Sequence, residues 1–255
     1  MIFTSSCCDN LSIDEIIERA EKGDCEAQYI VGFYYNRDSA IDSPDDEKAF
    51  YWLKLAAEQG HCEAQYSLGQ KYTEDKSRHK DNEQAIFWLK KAALQGHSDA
   101  QNNLADLYED GKGVAQNKTL AAFWYLKSAQ QGNRHAQFQI AWDYNAGEGV
   151  DQDYKQAMYW YLKAAAQESV GAYVNIGYMY KHGQGVEKDY QAAFEWFTKA
   201  AECNDATAWY NLAIMYHYGE GRPVDLRQAL DLYRKVQSSG TRDVSQEIRE
   251  TEDLL

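Results

Sequence analysis

One spacing constrains this chain more than any other feature. Tryptophan recurs at Trp52, Trp88, Trp124, Trp160 and Trp196, each 36 positions after the last. Alanine keeps the same step at Ala49, Ala85, Ala121, Ala157, Ala193 and Ala229, and again at Ala64, Ala100, Ala136, Ala172 and Ala208. Leu68, Leu104, Ile140, Ile176 and Leu212 form a further column, as do Tyr72, Tyr108, Tyr144, Tyr180 and Tyr216. Unrelated residue types held in one register mean one supersecondary unit copied along the chain, each copy burying its apolar face against its neighbours.

Within a unit the columns resolve into two helices. Ala49, Trp52, Leu53, Ala56 and Ala57 follow the i, i+3, i+4, i+7 spacing of one helical face, and Gly60 supplies a left-handed stop, as do Gly96, Gly132 and Gly240 in the same column. The second helix carries Ala64, Leu68 and Tyr72 and opens on acids such as Glu63 and Asp99, which are favoured near a helix N-terminus. Turns follow at Gly111 and Gly113, Gly147 and Gly149, Gly183 and Gly185, and Gly219 and Gly221; with no strand before them, they do not read as phosphate cradles. Five regular units begin near Glu47, Glu83, Thr119, Lys155 and Gln191 and fill 47–225 of a single 1–255 domain. Residues 1–46 read as an N-terminal capping repeat with an acidic loop, opened by a Ser12 and Glu15 capping box. Its Ala27, Val31 and Tyr35 run one position out of phase, which places one extra residue in the loop before the first regular unit. Residues 226–255 read as C-terminal capping helices, with Val244, Ile248 and Leu255 on a polar last helix.

The net charge of −14 gathers at the two ends: residues 1–47 carry −9, residues 48–186 balance, and residues 187–255 carry −5. That distribution argues against nucleic acid and membrane as partners, since both call for a basic face, and fits another protein with a basic surface. No window has the apolar length of a membrane span, and the start MIFTSSCCDN lacks the features of a secretory signal, so the expected localisation is cytoplasmic. Of the five cysteines only Cys25 and Cys62 share a repeat position, which does not make a disulfide framework. The histidines show no metal-ligand spacing, no nucleophile and base stand out from the repeat background, and no catalytic residue, metal or cofactor is expected.

The pattern Ala85-Ile86-Phe87-Trp88, Lys91-Ala92-Ala93, Gln95-Gly96, Ala100-Gln101, Leu104, Tyr108, Gly111, Gly113 and Val114 resembles the Sel-1-like repeat family, relatives of tetratricopeptide repeats with a longer loop between units. Consecutive copies cover residues 12–240. The resemblance implies an all-α fold, a right-handed α/α superhelical solenoid whose first helices line the concave side. It also implies a role as adaptor, scaffold, signalling or virulence factor, or immunity protein, with no shared catalytic residue. A cysteine-rich secreted branch is described as penicillin-binding, but the regular cysteine pairs of that branch are missing here. Two departures predict altered turns: Glu168 and Asn204 in the glycine-stop column, and Asp75-Lys76-Ser77-Arg78 in place of a glycine turn.

Two candidate surfaces follow. The residue before each tryptophan reads Tyr51, Phe87, Phe123, Tyr159 and then Glu195, about 100° around the helix from the core stripe. A strip of partly exposed rings there is a natural protein anchor; the alternative is that the rings pack on the neighbouring first helix. Lys91, Lys127, Lys163 and Lys199, preceded by Leu55, run beside the rings and read as a solvated edge, while the tryptophans read as core. The second surface is the loop from Asp38 to Glu47, with Asp42, Asp45, Asp46 and Glu47, either a claw for a cationic partner or a solvated edge.

The function read from these features is a non-catalytic cytosolic module that binds a partner protein in its concave groove. Its sharpest form is an immunity protein neutralising a cognate toxin, a cationic nuclease among the candidates. The alternatives are a scaffold or signalling adaptor with several partners and, more remotely, a beta-lactam-binding or hydrolysing enzyme.

Overall fold

The computed structural model describes residues 11–36, 45–74 and 79–255, and among them it holds fourteen α-helices and no strand. The all-α solenoid architecture of helix pairs is as the period predicts. The chain forms two compact units, residues 1–133 and 134–255. The first contains α1 (Ile13–Glu21), α2 (Cys25–Asn36), α3 (Asp46–Glu58), α4 (Cys62–Thr73), α5 (Asn82–Leu94), α6 (Ser98–Asp110) and α7 (Lys118–Gln130). The second contains α8 (Arg134–Ala146), α9 (Tyr154–Ala165), α10 (Val170–His182), α11 (Tyr190–Glu202), α12 (Ala206–Tyr218), α13 (Leu226–Ser239) and α14 (Ser245–Asp253). Within each unit every helix packs on the next in sequence. Asp42 and the segment Asp75 to Arg78 lie outside the described residues.

A second periodic device starts the helices. Asp45, Asp81, Asn117, Asp153, Asp189 and Asp225 stand 36 apart, and each side chain accepts a backbone N–H from the first turn of α3, α5, α7, α9, α11 or α13. The N–H of the same residue donates to the carbonyl of a tyrosine ending the preceding helix, Tyr72 to Asp81 at 2.9 Å and Tyr180 to Asp189 at 3.0 Å being examples. One residue thus caps a helix and closes the loop before it. The predicted Ser12 and Glu15 capping box is present at the start of α1. His61 and His97 cap α4 and α6 through Nδ1, which accepts the N–H of Ala64 and Ala100 at 3.2 Å; Nε2 faces Glu26 and Glu63 of the preceding pair at 3.1 and 3.2 Å.

The core column lies one residue past the tryptophans. Leu53, Leu89 and Tyr125 in the first unit, and Tyr161, Phe197 and Tyr233 in the second, are fully buried, each side chain stabilising its layer by about 1.5–3 kcal/mol. Trp88, Trp124 and Trp160 are buried, whereas Trp52 and Trp196 are only half-buried. A polar ladder runs through the same layers. Gln65 and Gln101 donate to the carbonyls of Ala57 and Ala93, and accept from Gln95 and Gln131 of the following first helix at 2.7 and 2.8 Å. These are the two glutamines of the repeat pattern, and their bonding explains why polar residues sit at buried positions.

Three expectations need correction or refinement. Glu168 and Asn204 do not alter their turn: both adopt positive φ, 61°, and the bonds Glu168 N–H to Ala165 and Ser169 N–H to Ala164 repeat those of Gly96 and His97. The change is in the angle. The glycines at 60, 96 and 132 sit at 95–96°, whereas a residue with a Cβ is confined to the narrow left-handed well near 57°. Leu255 lies beyond α14 and is exposed, so of the three predicted residues Val244 and Ile248 contribute to packing at that end, joined by the buried Thr251. The second glycine is needed for approach as well as for φ at Gly113, Gly185 and Gly221: a Cβ on Gly113 would stand 2.4 Å from the Asn82 Cβ at the start of α5.

Candidate functional site

The first helix of each pair presents a ring next to its tryptophan. In the first unit Tyr51, Phe87 and Phe123 are 56, 48 and 47% exposed; in the second Tyr159 is 49% exposed, and the column ends at the exposed Glu195. Each ring leans edge-on against its own tryptophan, with centroids 4.9–5.1 Å apart for Tyr51 and Trp52, Phe87 and Trp88, Phe123 and Trp124, and Tyr159 and Trp160. Because Trp88, Trp124 and Trp160 are held by the core, the rings on them are held too, and little conformational entropy is left to lose on binding.

The lysines are exposed, as expected of a solvated edge, and they also lie against the rings. Four residues on, and so one turn along the same face, Lys91 places its Nζ 4.5 Å from the Phe87 centroid and 4.8 Å from that of Trp88. Lys127 lies 5.7 Å from Phe123 and Lys163 5.6 Å from Tyr159. Where Glu195 replaces the ring, Lys199 moves onto Trp196 at 4.2 Å. Such cation–π contacts at exposed sites contribute about 0.5–1 kcal/mol. Tyr51 is followed one turn later by Leu55, so its ring has no lysine of this series above it. The spacing of four between ring and lysine was the available signal for this pairing.

The described acids of the second surface each have a partner within the chain. Asp45 is the capping residue of α3, its carboxylate accepting the Lys48 N–H at 3.0 Å, and that bond, with the Lys48 ammonium, holds its pKa below the usual carboxylate range. Asp46 Oδ1 lies 2.5 Å from Lys71 Nζ, a cation whose side chain is 4% exposed. Glu47 pairs with His79 at 3.4 Å. Asp45 belongs to the architectural column of capping residues, and Asp46 compensates a buried charge that sequence reasoning missed. Lys71 occupies a column otherwise filled by Leu107, Asp143, Met179 and Met215, so only its variation marks it.

The family model described as Sel1 repeat matches residues 25–61, 62–97, 98–133, 134–169, 170–205 and 206–235. The chain belongs to the Sel1 repeat family. The first match is one residue longer than the next, in agreement with the extra loop residue read from the phase of Ala27, Val31 and Tyr35. Among solved Sel1 repeat structures, a protective antigen of uropathogenic Escherichia coli displaying an SLR fold is 35% identical with a TM-score of 0.82; the match covers 91% of this chain and 50% of that one. A Sel1 repeat protein from Oxalobacter formigenes is 31% identical with a TM-score of 0.72, over 93% of this chain and 69% of that one. This chain therefore spans about half the length of the first. Sel1 repeat arrays are protein–protein interaction modules. No described helix is long and apolar enough to cross a membrane.

Proposed function

We propose that this Sel1 repeat protein is a non-catalytic docking module whose partner protein seats on the ring and lysine strip of the first helices in the first unit, with Tyr51, Phe87 and Phe123 as anchors, Tyr159 offering an anchor of the same kind in the second unit. The observation that carries the reading is their recurrent half-exposure in one register, each ring braced on a tryptophan. Rigid, partly exposed aromatics are the side chains that dominate protein interfaces when covered. The strip itself is cationic, so the acidic excess acts elsewhere: the −9 of residues 1–47 and the −5 of residues 187–255 steer a partner with a basic surface.

The sharpest form of this reading is an immunity protein covering a basic toxin domain, a cationic nuclease being one such domain. Expression of the adjacent reading frame tests it: that product alone is toxic, co-expression of this chain restores growth, and the two co-purify one to one. A harmless neighbour that does not bind removes the immunity form. Several partners captured at comparable, modest affinity would instead favour a scaffold or adaptor.

A further inference from the structure

The second unit contains a cleft that the ring and lysine strip does not use. It measures about 280 Å³ and lies between α12, α13 and α14, lined by Tyr210, Tyr218, Tyr233, Glu247, Glu250, Ile214 and Gln246. Tyr233 is buried and forms the floor, Tyr210 is half-buried, with ring centroids 6.1 Å apart at 60°, and Tyr218 is 66% exposed. Glu247 accepts the Tyr210 hydroxyl at 3.3 Å, and Glu250 accepts the Gln246 amide at 2.8 Å. Three tyrosines and two carboxylates line it with no cationic residue among the lining groups, a composition that favours positive charge.

Two further observations point the same way. Burial raises the Tyr233 pKa, and Tyr210, Tyr218, Glu247 and Glu250 raise it further by opposing a second negative charge. Of these groups the Glu247 and Glu250 carboxylates are the ones that also favour a cation. The chain also supplies its own example: the Arg242 guanidinium stacks on the Tyr210 ring with Cζ 3.8 Å from the centroid, yet Arg242 does not line the cleft.

The geometry points to a cation-binding site in this tyrosine cleft, taking an alkylammonium or guanidinium group between Tyr210, Tyr218 and Tyr233, with Glu247 and Glu250 as counter-charges. The same chemistry is offered by a lysine or arginine side chain of another protein and by a small quaternary ammonium compound. This site stands apart from the proposed docking strip and does not depend on it.

Titration of the intact chain with choline, Nα-acetyl-lysine amide and Nα-acetyl-arginine amide, followed by tyrosine ring resonances in NMR spectra, tests the assignment. Saturable shifts of Tyr210, Tyr218 and Tyr233 are expected, with dissociation constants on the order of millimolar. Tighter choline binding assigns the site to small quaternary cations, and tighter binding of either amino-acid amide assigns it to protein side chains. Tyr218→Ala, which removes an exposed ring, and Glu250→Gln, which keeps the acceptor for Gln246, should each weaken binding about tenfold while leaving the spectrum otherwise folded. Binding of uncharged 3,3-dimethylbutan-1-ol as tightly as choline would overturn the proposal, as would unchanged affinity in both variants or no saturable shift with any of the three cations.

Discussion

Lys91 lies 4.5 Å from the ring centroid of Phe87, one helical turn before it, while the neighbouring Trp88 is buried. Two adjacent aromatic residues therefore serve different ends, one holding the fold and one facing outward. Phe87→Ala should lower stability by no more than about 1 kcal/mol, the range of surface changes, whereas Trp88→Ala should cost about 3–5 kcal/mol by opening a cavity. Chemical denaturation midpoints of the two variants check this; equal losses would place Phe87 in the core and remove it from the docking strip.

The Asp46 and Lys71 pair predicts an asymmetry between its members. Asp46→Ala leaves a buried ammonium without this carboxylate and should destabilise by about 1–3 kcal/mol. Lys71→Met restores the residue type that Met179 and Met215 show in the same column and should match or exceed wild-type stability. Because Asp45 and Asp46 support the fold, reversing their charge confounds binding with stability. Glu47→Lys, at a carboxylate 55% exposed, is the cleaner probe of electrostatic steering: it should slow association and reduce its salt dependence.

Most of the architecture was legible because a period of 36 repeats every packing constraint several times over. Helix pairs, turn glycines and the one-residue phase shift follow from counting. What counting missed was local. The left-handed turn at Glu168 persists because the flanking hydrogen bonds determine it more strongly than the residue type does. Lys71 is intelligible only through Asp46, a residue twenty-five positions earlier and outside any column pattern. The rings beside the tryptophans were visible, but their pairing with lysine was not, since that spacing also describes a solvated face. The tyrosine cleft involves α14, the terminal helix outside the regular units, where the period gives no guidance.

Glu168 carries the cost of a Cβ in the left-handed region. Glu168→Gly should stabilise the chain by about 1 kcal/mol, the lower part of the range for that conformation, because the extra freedom of glycine when unfolded offsets some of the gain. A shift in thermal midpoint measures it, and a destabilised variant would show that the Glu168 side chain contributes through contacts of its own.

The buried phenols predict behaviour at high pH. Tyr125, Tyr161 and Tyr233 have pKa values raised chiefly by burial, so the folded state keeps their protons after the unfolded state has lost them. Their contribution is intact below the unfolded value of about 10 and falls as pH rises beyond it; denaturation midpoints should decline above that point. The hydroxyls themselves differ. Tyr125 Oη lies 2.6 Å from both Asp106 and Glu109, so Tyr125→Phe should cost about 1–2 kcal/mol. The Tyr161 hydroxyl has no hydrogen-bond partner among the described residues, and Tyr161→Phe should be neutral or stabilising and reduce the alkaline loss.

If the ring and lysine strip is the docking surface, partner affinity depends on its rings. With the partner captured by the intact chain, calorimetric titration should show the Phe87→Ala, Phe123→Ala double variant binding at least about thirtyfold more weakly, chiefly through faster dissociation, with an unchanged circular dichroism spectrum. Affinity within about twofold of wild type in that folded variant, a difference of less than about 0.5 kcal/mol, would mean that the partner docks elsewhere.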